Sequence, residues 1–327
     1  MPTRYSVAWW NVENLFDEEN APRSDKLKRA IGKQVVGWTP ALRDQKIAKL
    51  ASVIRQLNGG LGPDLMGICE IENRAVVQAL ADQLNQALPG RSYRVVHADT
   101  RDERGIDVAF IYEWKMLRAP VNERFQHVVM RRTATREIFQ VNFTTRPKGR
   151  TWTVLGNHWP SRRGGASESA GYRMIAGETL SYFHQRAMEV HGEETPVLAM
   201  GDFDDEPFDL SLVQHALSTG QRTKVVGTAS VPRLWNLMWP LLGGGDGTFF
   251  FDNFAFGFDQ FLVNKKMALA DGPIRFVPGS VQIVRLSGMA SAGDYPSPIP
   301  FGGMGKPVNP AGFSDHFPIT MEVLEAD

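Results

Sequence analysis

A chain of 327 residues with 36 basic and 36 acidic side chains is formally neutral, which argues against binding by blanket phosphate neutralisation, since such proteins carry a basic excess. Hydrophobic residues at 43% and charged residues at 22% make an ordinary globular composition with ample material for a core, and no run of eighteen apolar residues marks a membrane span. A single cysteine, Cys69, excludes an internal disulfide and a thiolate metal cluster, and reads as a small buried hydrophobe.

In chain order, the opening "MPTRYSVAWWNVEN" lacks a basic segment followed by a long apolar one, so no secretory leader is read there and a cytoplasmic location is expected. Its residues 5–11 read as a strand. The clearest helix is 40–57, with Thr39 able to cap it, Pro40 suited to its first position, and Leu42, Ile47, Leu50, Ile54 and Leu57 at helical spacing. "GGLGP" then leads into a strand at 64–71. A second helix fits 74–88, and strands fit 92–97, 106–113, 136–143 and 151–157. A third helix fits 168–190 and a short one 208–217. Further strands fit 196–201, 258–264 and 316–323, most of them rich in Val, Ile, Phe or Trp and bounded by turn residues. Residues 272–313 are crowded with Gly and Pro, and a loop of that length inside a domain is often a lid or a binding loop. No repeat or low-complexity segment divides the chain, so one domain spanning 1–327 is expected.

Nearly every apolar run has a polar residue near one end: Asn11, Glu70, Asn157 and His158, Asp202 and Asp204, Asp259, and Asp315 with His316. Taken singly, such residues are ordinary turn formers and solvated acids. Converging on one rim, they suit metal-assisted hydrolysis, because carboxylate and amide oxygens favour a hard cation such as Mg²⁺ or Mn²⁺ and the histidines add acid–base capacity. A P-loop is absent, since neither "GGLGP" nor "LLGGGDG" is followed by Lys-Ser/Thr, and no G-x-S-x-G elbow supports a serine hydrolase.

The order of the segments carries more than any one of them. "NVENLFD", "CEIEN", "ERGIDVAFIY", "GNHWPSR", "GDFDDEP", "FDQFLV" and "SDHFPI" resemble the successive motifs of the endonuclease/exonuclease/phosphatase superfamily, which includes pancreatic deoxyribonuclease, sphingomyelinases and inositol-phosphate phosphatases. The resemblance runs from residue 5 to 323. It implies an α/β (α+β) four-layer sandwich, helix–sheet–sheet–helix, with the site at the edge where the two sheets open. It also implies Glu70 as the main metal ligand with Asn11 and Asp315 nearby, and Asp202 as the group that orients or deprotonates the attacking water. His316 paired with Asp259 would hold the scissile phosphate, and His158 would contact another phosphate oxygen or the leaving group. A divalent cation and protonated histidines would together offset the charge gathering on the phosphate oxygens. Asn157, Arg136 and Arg162 are the substrate-binding candidates, with Arg163 an alternative to Arg162 for a second phosphate and Asp107 or Glu103 a candidate support for His158.

One position departs from the pattern. The family usually reads Gly-Asp-x-Asn where this chain has Gly201-Asp202-Phe203-Asp204. An ionised Asp204 only accepts hydrogen bonds and would repel a phosphate oxygen, so it is expected to recruit a second metal ion, to be protonated, or to mark different substrate handling. Asp205, Glu206 and Asp209 read as turn and helix-start acids. The expected activity is hydrolysis of phosphodiesters, with nucleic acid as the default substrate and no obligate protein partner. Small organic phosphate esters are the alternative, and a binding module that has lost chemistry is the third.

Overall fold

The computed structural model describes residues 1–131, 135–228 and 231–327. β1 (Thr3–Leu15) shows how the layers arise. Tyr5, Val7 and Trp9 enter one core while the alternate residues Ala8, Trp10 and Val12 enter another, and a strand that is apolar on both faces has to be covered on both. α1 (Asp25–Ile31) and α2 (Pro40–Ile54) follow, the latter capped by the Thr39 hydroxyl, which accepts from the Leu42 N–H. α2 stops at Ile54 instead of reaching 57. A kinked turn, α3 (Leu57–Gly60), takes over, with Asn58 and Gly59 at φ of 54° and 62°, which no continuing helix permits.

β2 (Leu65–Ile71), α4 (Arg74–Ala87), β3 (Tyr93–His97) and β4 (Asp107–Glu113) extend the first sheet. β5 (Leu117–Arg118), β6 (Arg124–His127), β7 (Ile138–Thr145), β8 (Thr151–His158), α5 (Ala166–His191) and β9 (Val197–Asp202) build most of the second. β10 (Ser218–Thr219), α6 (Arg222–Val226), β11 (Leu234–Asn236), a hairpin of β12 (Phe249–Phe251) and β13 (Phe254–Phe256), β14 (Asp259–Val263) and α7 (Lys265–Ala268) come next. β15 (Ile274–Phe276), β16 (Gln282–Ile283) and β17 (Ile319–Glu325) return to the first sheet.

The first sheet runs β15-β17-β1-β2-β4-β3 with β16 also on β17, and the second runs β10-β11-β14-β9-β8-β7-β5 with β6 also on β7. Their inner faces meet through Trp9 and Phe110 on one side and Phe139, Trp152, Met200 and Phe261 on the other. Close approach depends on Gly156, where a Cβ would lie 2.7 Å from Val108 and 2.8 Å from Phe110. α2 and α4 cover the outer face of the first sheet with Ile47, Leu50, Val77 and Leu80, and α5 covers the second with Ala176 and Leu180. This is the α-β-β-α sandwich expected from the sequence. No helix among the described residues is long and apolar enough to cross a membrane.

Two expectations need correction. Residues 208–217 hold no α-helix; Ser211–His215 form a π-helical turn. Residues 272–313 are not a free loop, since β15 and β16 pair with β17 and Met289 and Phe301 are buried. The Phe301 and Gly302 N–H groups both donate to the buried carboxylate of Glu13, which ties this Gly/Pro-rich segment down beside β1.

Candidate active site

Strand register assembles the centre of the site. β8 runs parallel to β9 and β14 antiparallel to it, so that His158 pairs with Asp202 and Asp202 with Asp259. Three ionisable residues therefore stand side by side at the ends of three neighbouring strands. His316 reaches them from the other sheet, its backbone bridged to Phe249 and its side chain hydrogen-bonded through Nδ1 to Asp259 Oδ2 at 2.7 Å. Asp259 is held in turn by the Trp9 indole, which donates to Oδ1 at 2.9 Å. Its backbone N–H donates to the Thr248 hydroxyl at 3.1 Å.

Asp202 sits between the two histidines. Its Oδ2 lies 4.0 Å from His158 Nε2 and 3.9 Å from His316 Nε2, and it accepts from the Asn11 amide at 2.9 Å. Burial, followed by repulsion from Asp204, pushes the Asp202 carboxyl up to about 8. The histidines diverge. Burial pulls both down, but the carboxylates of Asp259 and Asp202 outweigh it at His316 and hold that ring well above its ordinary value. At His158 burial is reinforced by Arg136, Arg104 and His316, so the ring stays neutral, with Nδ1 buried and without a partner among the described residues. One imidazolium faces the site, where the sequence had suggested two.

Glu70 is aimed by irregular backbone. The pairing of β2 with both β1 and β4 slips at this residue, and Glu70 itself adopts φ 62°, with Glu13 and Asn14 at 51° and 53° across the β1 bulge. Such conformations cost energy and are kept where the surroundings fix them. Glu70 Oε2 accepts from the Asn14 N–H at 3.0 Å, and Oε1 lies 3.8 Å from His158 Nε2 and 3.9 Å from Arg104. Asp315 flanks it, 4.0 Å from Lys306, its carboxyl raised by burial and by the nearby Glu70 charge. Beneath them, Lys46 and Glu13 form a fully buried pair at 3.6 Å.

The acidic turn divides by function. Asp205 and Asp209 receive Arg162 at 2.9 and 2.6 Å, Asp205 also receives Arg173 at 2.7 Å, and Glu206 accepts the Gly257 N–H. These acids tie the turn to its neighbours. Asp204 has no such cation on its carboxylate among the described residues. It adopts φ 50°, and burial pushes it up to about 6.

The substrate-binding candidates are placed less openly than the sequence suggests. Arg162 is committed to Asp205, Asp209 and the Asp204 carbonyl. Arg136 is 5% exposed, donates to the His158 carbonyl at 3.2 Å and to the Trp159 carbonyl, and so braces the end of β8. Asn157 is buried, its amide donating to the Leu155 carbonyl at 2.9 Å and accepting from the Trp159 indole at 3.1 Å. Asp107 does not support His158; it accepts from His97 at 2.9 Å and from the Thr100 N–H. Cys69 is buried, and burial raises its thiol well above the ordinary value. Sequence reasoning missed Arg104, Trp9 and Lys46. Only Lys46 left a signal, since it shares the 46–50–54 stripe of α2 with Leu50 and Ile54.

The donor set suits a hard cation. Carboxylates from Glu70, Asp202, Asp204 and Asp315 gather at one rim, and three of them are raised by burial and by one another, a surplus of negative charge that a divalent ion offsets. Asp202, Asp259 and His316 also bring ligand atoms within 4.8 Å of one another, as do Cys69, His158 and Asp202, although His316 is already hydrogen-bonded to Asp259.

A family model described as the Endonuclease/Exonuclease/phosphatase family matches residues 6–325. No curated protein matches the chain. Among solved structures it is similar to D. rerio TDP2 complexed with a single-strand DNA product, at 14% identity and a TM-score of 0.58, over 98% of this chain and 99% of that one. It is also similar to the human Nocturnin catalytic domain with a bound sulfate, at 13% identity and 0.53, over 99% and 95%. A third is a mannosyl-6-phosphatase of Bacteroides thetaiotaomicron, at 15% identity and 0.52, over 98% and 99%. With the family model matching nearly its whole length, the chain belongs to the endonuclease/exonuclease/phosphatase family.

Proposed function

We propose that this protein is a metal-dependent phosphoesterase that cleaves phosphodiester bonds with a water molecule activated at Asp202, nucleic acid being the default substrate. The observation that carries the reading is the row His158–Asp202–Asp259 across three adjacent strands, with the His316 imidazolium hooked onto Asp259.

Mg²⁺ or Mn²⁺, held by Glu70 and Asp315 with the Asn11 amide close by, would supply electrostatic stabilisation of charge on the phosphoryl oxygens. A second ion beside Asp204 fits the raised carboxyl there. The rest falls to the chain. His316, kept cationic by Asp259, donates to a non-bridging phosphate oxygen and offsets the charge that grows there. Asp202 in its ionised form orients the water and accepts its proton, and burial, followed by repulsion from Asp204, raises its affinity for that proton. His158, neutral, offers Nε2 to a further oxygen or to the leaving group. Arg136 and Asn157 hold β8 so that His158 stays in register with Asp202.

A second reading, hydrolysis of small organic phosphate esters, is favoured by the β12–β13 hairpin. Phe249 lies 4.8 Å from the His316 ring, and Phe251 and Phe254 stand 68% and 67% exposed at the tip, a surface for an aromatic or apolar alcohol group.

Hydrolysis of bis(p-nitrophenyl) phosphate and of p-nitrophenyl phosphate, each with EDTA, Mg²⁺ or Mn²⁺, tests both readings. Metal-dependent cleavage of the diester that disappears in Glu70→Ala and Asp202→Ala supports the phosphodiesterase. Preference for the monoester supports the second reading, and a folded, metal-supplied protein inert to both overturns the mechanism.

A further inference from the structure

β3 ends at His97 and the neighbouring β4 begins at Asp107, so the loop of residues 98–106 leaves and re-enters one sheet at adjacent points. At its base stand one imidazole and two carboxylates, those of His97, Asp99 and Asp107, each with a ligand atom within 4.8 Å of the others. The side chains of His97 and Asp107 are only 3% and 5% exposed, and they meet Nε2 to Oδ2 at 2.9 Å. A tetrahedral ion bonded to nitrogen and oxygen at about 2.0–2.2 Å keeps its ligands about 3.3 Å apart. This pair therefore opens by only a few tenths of an ångström to admit one, with the imidazole proton carried on Nδ1 and Nε2 turned to the ion.

Two of the donors are held from behind. The Thr100 N–H donates to the second oxygen of Asp107 at 2.9 Å, which fixes that carboxylate in the way outer hydrogen bonds fix metal ligands. Gln126 donates from Nε2 to the Asp99 carbonyl at 2.6 Å and to Glu137 Oε2 at 2.8 Å. The backbone at 99 is thereby pinned to β6, while the Asp99 carboxylate has no hydrogen-bond or salt-bridge partner among the described residues. Glu137 brings a third acid close by: burial raises its carboxyl, the Arg101 charge opposes this, and the Asp107 charge raises it further. Three acids around one imidazole leave a surplus of negative charge, and like charges so placed repel unless a cation joins them. The His97–Asp107 pair is satisfied as it stands; an unpartnered Asp99 oxygen within reach of both is what a cation explains.

We propose that His97, Asp99 and Asp107 hold a metal ion of their own, separate from the one at Glu70 and Asp315 and of a different kind. An imidazole nitrogen with two carboxylates suits a borderline ion such as Zn²⁺, whereas the oxygen donors of the rim suit Mg²⁺ or Mn²⁺. The ion staples the loop 98–106 across its base. That loop carries Arg104, 3.9 Å from Glu70, and Asp102, 3.4 Å from Arg136. The staple thus fixes two groups that stand beside the candidate active site while taking no part in chemistry. The inference holds whether or not the protein is a phosphoesterase.

Zn²⁺, titrated calorimetrically into the full chain in excess Mg²⁺, is the probe. Asp99→Asn and His97→Gln are each expected to weaken one Zn²⁺ binding event by about tenfold or more, and Glu70→Ala to leave that event unchanged. Asp99 is exposed, so its variant keeps the fold and guards against a loss caused by misfolding of the buried His97 variant. Equal Zn²⁺ binding in wild type and both loop variants overturns the site, as does an effect confined to His97→Gln. Loss of the same event in Glu70→Ala places the ion at the rim and overturns it as well. A second arm reads the staple directly, by mass spectrometry of the fragments that trypsin releases at Arg101 and Arg104. Zn²⁺ is expected to slow those cuts by about tenfold in wild type and not in Asp99→Asn, because cleavage follows the population of opened loop. Cuts equally fast with and without Zn²⁺ in wild type overturn the staple.

Discussion

His158 and His316 approach the same oxygen of Asp202, at 4.0 and 3.9 Å, and are driven to different charge states. The difference lies behind the rings. His316 has a carboxylate at its back, 2.7 Å away on a strand of the other sheet, whereas His158 has an unpartnered Nδ1 and two guanidinium groups. Two identical side chains at one carboxylate thus become a cation and a neutral donor or acceptor, a division of labour set by what each ring leans on.

Asp259→Asn is accordingly expected to lower kcat on a phosphodiester by about 10²–10⁴, the range for losing a positioned acid–base group. Rate measurements under saturating Mg²⁺ check this. The amide oxygen that replaces the carboxylate still accepts from the Trp9 indole, so the variant should keep its fold by circular dichroism. An unchanged kcat would mean that His316 needs no charge.

Asp204→Asn should stabilise the protein in EDTA. A folded carboxyl raised to about 6 binds its proton more tightly than the unfolded chain does. Stability is then lost as pH rises from the ordinary value of 3.8 through 6, and the loss is fully present at pH 8. Asparagine removes it and tolerates the φ of 50° at this position. The melting temperature at pH 8 is expected to rise on the order of 2 °C, for roughly 1 kcal/mol, and calorimetric titration with Mn²⁺ should show fewer ions bound if Asp204 holds a second one.

His184, buried in α5 with Nε2 unpartnered among the described residues, makes the acid side of the stability curve steeper. Burial lowers it to about 4 from 6.5, so below 6.5 the unfolded chain takes a proton that the folded one refuses. Stability from this group is whole above pH 6.5 and is lost as pH falls towards 4. At pH 5 the loss is about 2 kcal/mol, from about 1.36 kcal/mol for each pH interval. Urea unfolding at pH 7.5 and pH 5 should show a smaller difference in His184→Phe than in wild type.

The aromatic hairpin gives a prediction that separates binding from folding. Phe251 and Phe254 are mostly exposed on either side of a turn whose central residues, Asp252 and Asn253, both take positive φ, the conformation suited to a two-residue hairpin. Phe251→Ser with Phe254→Ser should leave the melting temperature within about 1 °C, since exposed side chains contribute little to stability. It should raise KM for oligonucleotide or aryl esters by about tenfold, as expected from loss of stacking. Equal KM in both proteins would detach the hairpin from substrate contact.

Much of the site was legible in sequence because strand ends are where a sheet's side chains meet solvent. Asp202, Asp259, His158 and His316 could be named from apolar runs and their flanking polar residues. What sequence left open was orientation. Asn11 reads as a ligand, yet its amide nitrogen is turned to Asp202 and its oxygen to the Glu13 N–H. Arg162 reads as free, yet three groups of the acidic turn hold it. Trp9, packed in a hydrophobic core, gave no sign that its indole N–H holds Asp259, because that contact spans 250 positions and depends on how the two sheets face each other.

β1, the first strand of this chain, is hydrogen-bonded between β2 and β17, the last. During synthesis one edge of a thirteen-residue strand therefore waits unpaired while some three hundred residues are made. An edge of that kind invites pairing with another chain. It also means that Asn11 is made long before Asp315 and His316, with which it shares the candidate site. Until β17 is made the candidate site lacks Asp315 and His316, and for that whole interval the open edge of β1 is the surface that a chaperone has most reason to cover.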